Sequence, residues 1–144
     1  WQPFRHNVTD ELGDQVKTFN DEEVYTANAF IAMRKGFSEE NPEAVERFVS
    51  ALIDAEGYMD DNLKESQELL AEEIEIPFEI LRLAWDEYDV GVSLPQSFIL
   101  TLEDEARWAI KNNLTDNTEI PNYLDYIYTD ALKVVKPEAV TIIQ

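Results

Sequence analysis

The first residues to weigh for chemistry are His6 and Asp10, because an imidazole and a carboxylate four positions apart share one helical turn and could both ligate a metal ion. His6 is the sole histidine, and the chain has no cysteine. Transition-metal sites are built mainly from several such nitrogen and sulfur ligands. We therefore expect no metal site, and we interpret His6 as a surface residue.

Carboxylates cluster at residues 22–23, 72–73 and 103–105, where neighbours could act as acid and base or hold calcium. With 31 acidic residues such neighbours arise by chance, and the alternating ligands and central glycine of a calcium loop are absent. The four glycines are isolated, so no phosphate-binding loop or dinucleotide fingerprint exists. No serine stands in a nucleophile-elbow pattern. We predict a chain that is not an enzyme and that holds no cofactor.

Aromatic side chains are the one chemically suggestive group, because pockets for small organic ligands are rich in them. Those at helical positions could equally be packing residues of a core, and the sequence leaves both interpretations open. The aromatics concerned are Trp1, Phe4, Tyr25, Trp85, Tyr88 and Trp108.

The formal net charge of −20 excludes several classes of partner. Nucleic acid and anionic membrane surfaces are repelled by such a field, so we expect binding to neither. No apolar run approaches the roughly 18 residues of a spanning helix, so we expect no membrane insertion by this segment. The absence of cysteine excludes a disulfide framework without indicating a compartment.

Periodic apolar residues predict about five helices, the clearest over residues 42–61. Asn41 is suited to the N-cap and Pro42 to the first helical position. We predict further helices over 63–73, after Pro77, over 97–113 and after Pro121. The stripe of the first helix consists of Val45, Phe48, Val49, Leu52, Ile53 and Met59.

Two stretches near the start favour extended structure. Residues 15–19 alternate polar and apolar side chains, and residues 25–33 form a short apolar run that could also open a helix. We interpret both as strands. The prediction is thus a helix-dominated α/β fold with two or three short strands, too few to form a sheet of their own.

Several motifs together resemble the C-terminal half of periplasmic binding proteins of the nitrate, sulfonate, taurine and thiamine-precursor type, which serve ABC importers. They are WQPF at residues 1–4, the segment 26–37, the NPEAV helix start at residues 41–45, PNYLDYI at 121–127 and the closing residues 136–143. In that family the tryptophan and proline close the contribution of the second lobe. A strand then returns to the first lobe and ends near a basic residue, here Arg34.

The resemblance implies the C-terminal portion of a type II periplasmic binding protein fold, with two α/β lobes around a ligand cleft. Residues 1–144 would be a single incomplete unit, with 1–23 the end of the second lobe and return crossing, and 24–144 the C-terminal part of the first lobe. It places Trp1 at the cleft rim and Tyr25, Thr26 and Asn28 on the crossing, as ligand-binding residues.

The implied function is the non-enzymatic solute-binding component of an ABC importer, for a sulfonate, nitrate, taurine or thiamine-pyrimidine precursor. Its partners would be the small-molecule solute, a permease, and a missing N-terminal half or symmetry mate that could make a homo-oligomer. The location would be periplasmic or extracellular, with any membrane tether supplied by residues upstream of Trp1. The alternative hypothesis is a helical protein-interaction module that binds a partner through exposed apolar faces.

Overall fold

A computed structural model describes residues 4–19 and 27–143, and helices dominate these ranges. Short 3-10 helices lie at Gly13–Gln15, Trp85–Glu87, Tyr123–Tyr126 and Pro137–Ala139. The α-helices of the described residues are α1 (Phe4–Leu12), α2 (Lys35–Glu40), α3 (Pro42–Asp61), α4 (Leu63–Glu73), α5 (Phe78–Ala84), α6 (Gln96–Lys111) and α7 (Asp130–Val135).

Asparagines join the successive helices α2, α3 and α4. Asn41 precedes α3, whose first residue is Pro42 as predicted, but its side-chain amide donates to the Phe37 carbonyl at 3.1 Å. Asn62 precedes α4 in the same way and donates to the Tyr58 carbonyl at 3.0 Å. Each asparagine side chain therefore supplies a donor to a carbonyl at the end of the preceding helix, where such groups lack a partner.

Both α4 and α6 end on a residue with a left-handed backbone. Glu75 has φ of 56° after α4, and the following N–H of Ile76 reaches back to the Ala71 carbonyl at 3.0 Å. Asn113 has the same φ after α6, with the equivalent backward hydrogen bond. This is the Schellman arrangement, in which glycine is usual because it carries no Cβ. Here two other residue types occupy the position.

The chain divides into two compact units, the first comprising residues 1–27 and 54–91. Helices α4 and α5 pack together in this unit. Ile80, Leu81 and Ala84 form the buried face of α5. The buried face of α4 is partly polar, because Ser66 and Gln67 are buried whereas Leu69 is exposed.

The second unit comprises residues 28–53 and 92–143 of the described chain. Leu94 and Val140 form an isolated parallel bridge in it, with the Leu94 N–H donating to the Ala139 carbonyl at 2.8 Å. The Thr141 N–H returns a bond to the Leu94 carbonyl at 3.1 Å. The buried apolar side chains of this unit are Val45, Ile99, Ala131, Leu132 and Ile142.

The predicted strands are wrong wherever the structure describes them. Gln15 ends the 3-10 helix that starts at Gly13, and residues 16–19 after it join no ladder. Residues 27–34 have neither helix nor strand, and Tyr25 and Thr26 lie outside the described ranges. Alternating side chains supply only the local part of a strand, and a strand also needs a neighbour to accept its hydrogen bonds.

The predicted α/β fold is therefore wrong, although the expectation that helices dominate is confirmed. Apart from the single bridge at Leu94, no β structure occurs in residues 4–19 and 27–143. The described chain is consequently not the α/β periplasmic binding protein fold that the resemblance implies. The physical reason is that the helical segments form from local signals, whereas the two strand candidates find no ladder.

Candidate functional site

Of the four predicted ligand-binding residues, the structure describes one. Asn28 lies exposed at the start of the second unit, in the stretch without regular structure. Trp1, Tyr25 and Thr26 fall outside the described ranges. The four therefore remain a prediction, and other residues must supply the geometry of a candidate site.

Ionisable groups do not gather into a metal centre in the described ranges. No group of three or more histidine or carboxylate side chains lies close enough there to hold an ion. His6 is half-buried on α1, one turn before the exposed Asp10. The expectation that the protein binds no metal stays a prediction.

Two polar side-chain contacts of the first unit connect separate segments of its chain. The Arg5 guanidinium of α1 donates to Glu87 in the 3-10 turn after α5, and this hydrogen bond raises the pKa of Arg5. A hydrogen bond to Glu65 raises the pKa of the Tyr58 phenol, because ionisation would remove the donor and add a second negative charge. Each pair joins segments of one unit, and neither lies in a cavity.

Negative charge is unevenly shared between the two units. The first holds nineteen acidic and four basic residues in 65 positions, a formal charge of −15. The second holds twelve acidic and seven basic residues in 79 positions, a formal charge of −5. Repulsion between like charges therefore opposes association of acidic partners mainly at the first unit.

The second unit contains a groove of about 250 Å³ lined by apolar side chains, which we call the apolar groove. One wall comes from the segment before α2, and the others from α2 and the first turns of α3. Among its residues Val45 is buried, whereas Phe48 is 46% exposed although it lies on the predicted apolar stripe of α3. The groove is lined by Ile31, Met33, Phe37, Ala44, Val45 and Phe48.

Residues 29–33 form one border of this groove and have no secondary structure. Ile31 and Met33, two positions apart, face the groove, whereas the ring of Phe30 lies 6.3 Å from that of Phe98 on α6. Alternate residues of an extended chain point to opposite sides. The predicted strand thus keeps a strand-like alternation of side chains without a ladder.

A second cavity of about 400 Å³ lies beside α3 in the same unit. Its lining includes Glu43, Glu46 and Arg47, together with Ser50 and Val135. Small-molecule sites are mostly apolar with a few polar groups, which this charged, shallow surface does not match. The apolar groove is smaller than the roughly 300 Å³ at which such sites begin, so its size suits a side chain better than a metabolite.

Large apolar side chains remain exposed on both units. Phe19 is 92% exposed, Leu83 is 67% exposed, and Trp108, expected to be either core or pocket, is 60% exposed. Single exposed apolar residues are ordinary, whereas contiguous apolar patches larger than a few hundred Å² are typical of binding surfaces. Sequence periodicity missed the groove because Phe37 lies on the short helix α2, which it did not predict.

Comparison with known proteins adds no relative. No protein-family model matches the chain, and no curated protein or solved structure resembles it closely enough to be identified. Among the described residues, no helix is both long enough and apolar enough to cross a bilayer. Function has to be argued from the surfaces described above.

Proposed function

We propose that this chain is a helical protein-interaction module that binds another polypeptide through the apolar groove of its second unit. The observation that carries the proposal is the exposed apolar wall formed by Ile31, Phe37 and Phe48 around a space of about 250 Å³. Burying apolar surface is favourable by about 25 cal/mol per Å², so an uncovered wall of this kind gains free energy from a partner. The low charge of the second unit adds little repulsion.

The direct test is the binding of an apolar fluorescent dye and its loss in a groove variant. Phe48→Ser removes an exposed ring of the groove, and Leu83→Ser is the matched control because Leu83 is equally apolar but lies in the first unit. We expect Phe48→Ser to reduce dye fluorescence at least severalfold, with far-ultraviolet circular dichroism unchanged. Equal dye binding by the two variants would contradict the proposal.

Self-association provides a second measurement, because apolar surfaces and net charge act on it in opposite directions. Salt screens repulsion between chains of −20, with a Debye length of about 10 Å at 0.1 M and about 3 Å at 1 M. We expect the chain to associate more strongly at about 1 M salt by light scattering, and Phe48→Ser to reverse this. If neither the dye nor another chain binds the groove at any ionic strength, the groove is only a gap in the packing and the proposal is wrong.

A solute-binding role in an importer is the second candidate, and one observation favours it. Helix α3 starts at Pro42, where the family resemblance expects a helix start. The partner covering the groove would then be the remainder of a longer protein. This role predicts a solute response that an interaction module does not.

The two candidates differ in a thermal-shift screen of the full-length protein against nitrate, taurine, alkyl sulfonates and pyrimidines. A solute at 100 times its Kd stabilises the folded state by about 2.7 kcal/mol, which is readily detected. A shift that is lost on substituting Asn28 would favour solute binding. No shift from any compound, together with groove-dependent capture of a polypeptide, would favour the interaction module.

A further inference from the structure

The backbone beside the apolar groove is unpaired over an apolar stretch. In the part of the chain that the structure describes, no hydrogen bond involves the main chain of residues 29–33. These five residues are Ala29, Phe30, Ile31, Ala32 and Met33, and none carries a charge. Such a run combines a free set of donors and acceptors with apolar side chains, as the exposed edge of a sheet does.

Side chains on both sides hold this segment. Phe30 contacts Phe98 of α6 on one side, and Ile31 and Met33 contribute to the apolar groove on the other. Side chains at alternate positions therefore face opposite sides, and no main-chain hydrogen bond of the described residues occupies the backbone. A strand laid beside it would gain main-chain hydrogen bonds and could place a side chain in the groove, which is the mode of recognition by strand addition.

The charges next to the segment specify the partner further. Arg34 and Lys35 follow directly, and neither makes an ion pair within the described ranges. A partner with a carboxylate at that end of the strand would pair with them.

A second copy of the chain fits these charges poorly. In the antiparallel pairing of two copies that places residues 29–33 opposite each other, Arg34 would lie opposite Asn28 and Lys35 opposite Ala27, so in that register no carboxylate would meet the cations. Two chains of −20 would also repel each other. The charge complementarity favours a different polypeptide.

We propose that residues 29–33 accept a β-strand from another polypeptide, an apolar strand that ends in acidic residues beside Arg34 and Lys35 and inserts a side chain into the apolar groove. This inference rests on the proposed interaction function and specifies its partner.

The test uses two blocked heptapeptides with fluorescent labels. One has the sequence Thr-Val-Ile-Val-Ile-Asp-Glu and the other its reverse, so that the acidic end can meet Arg34 and Lys35 in a parallel or an antiparallel pairing. We expect one of them to bind the full chain and to lose at least tenfold in affinity for the variant carrying Arg34→Glu and Lys35→Glu. The same variant should gain affinity for the peptide in which lysines replace the acidic pair.

Backbone methylation separates strand addition from simple apolar contact. Two versions of the binding peptide carry N-methyl groups at odd or at even positions, with all side chains kept. Because a strand presents its N–H groups alternately to the two sides, only one version should lose binding. Equal binding by both versions would overturn the inference.

Groove variants and dye binding distinguish the possible failures. Phe48→Ser and Met33→Ser should each weaken binding of the peptide. Both side chains are exposed enough for the fold to tolerate the substitutions. If neither peptide binds while the dye still binds in a manner dependent on Phe48, strand addition is wrong and the interaction function stands. If neither peptide nor dye binds, both proposals are wrong.

Discussion

Replacing Glu75 by glycine should stabilise the protein. Glu75 occupies the position after α4 with φ of 56°, and the backward hydrogen bonds of Glu75 and Ile76 to Glu72 and Ala71 fix that conformation. A side chain with a Cβ is strained in this region of backbone space, and glycine is not. Glu75 also places a negative charge at the negative end of the helix dipole.

The magnitude follows from three terms. The left-handed conformation costs a residue with a Cβ about 1–2 kcal/mol. Glycine loses about 0.5–1 kcal/mol more backbone entropy on folding, which offsets part of that gain. Removing the exposed carboxylate from the end of α4 adds about 0.3 kcal/mol. The expected net stabilisation by Glu75→Gly is about 1 kcal/mol.

Urea denaturation measures this difference directly. With a denaturant slope of about 1–3 kcal/mol per M, a gain of 1 kcal/mol moves the midpoint by about 0.3–1 M. Glu75→Gln is the matched control, because it removes the charge and keeps the Cβ. Asn113→Gly at the equivalent position of α6 should gain only a few tenths of a kcal/mol, since asparagine tolerates this conformation.

The order of the variants tests the reasoning more strictly than any single value. Stability should rise from wild type to Glu75→Gln and further to Glu75→Gly. A glycine variant no more stable than the glutamine variant would mean that Glu75 is not strained and that the α4 terminus differs from the one described. A larger gain at Asn113 than at Glu75 would contradict the same argument.

Three further predictions concern contacts of the first unit. Glu65→Gln should lower the pKa of Tyr58 towards its ordinary value near 10, as measured by spectroscopic titration. The wild type should lose stability relative to this variant as the pH rises through the raised pKa of Tyr58. An unchanged pKa in the variant would exclude the hydrogen bond. Asn62→Ala should cost about 0.5–1.5 kcal/mol in urea denaturation by removing the donor to the Tyr58 carbonyl, and a neutral result would assign that carbonyl to water. Arg5→Gln should lower the free energy of unfolding by less than about 1 kcal/mol, because the ion pair with Glu87 is lost. If this loss of stability did not decrease towards about 1 M salt, packing rather than charge would be its cause.

Helix boundaries were predictable where the chain carries local stop and start signals. Helices α3 and α4 have the predicted limits because Asn41, Pro42 and Asn62 interrupt the helix pattern at those places. Helix α2 was missed because six residues are too few for a periodic pattern, and α1 was not predicted either. Asn41 was predicted to cap α3, but its side chain donates to the Phe37 carbonyl of α2, since sequence does not indicate in which direction an amide donates.

Strands and the site depended on contacts that sequence alone does not specify. The strand at residues 25–33 was predicted from a short apolar run, but a ladder requires a distant partner, and none occurs for the part of this run that the structure describes. Phe48 was predicted on an apolar stripe, yet burial of such a stripe depends on what packs against it, and Phe48 remains half exposed. Of the predicted site residues, Asn28 alone lies in the described ranges, and its proposed role remains untested.

The net charge and the apolar groove belong mainly to different units of the chain. Most of the net charge, −15 of −20, lies on the first unit, whereas the apolar groove and the unpaired residues 29–33 belong to the second. A uniformly acidic surface would oppose any acidic partner at the groove, but the residues that directly follow 29–33 along the chain are the cations Arg34 and Lys35. Repulsion between first units opposes self-association, and under the proposal the two cations pair with a strand that ends in carboxylates. Charge reversal at Arg34 and Lys35 should thus change which partner binds, while the net charge that keeps chains apart stays large.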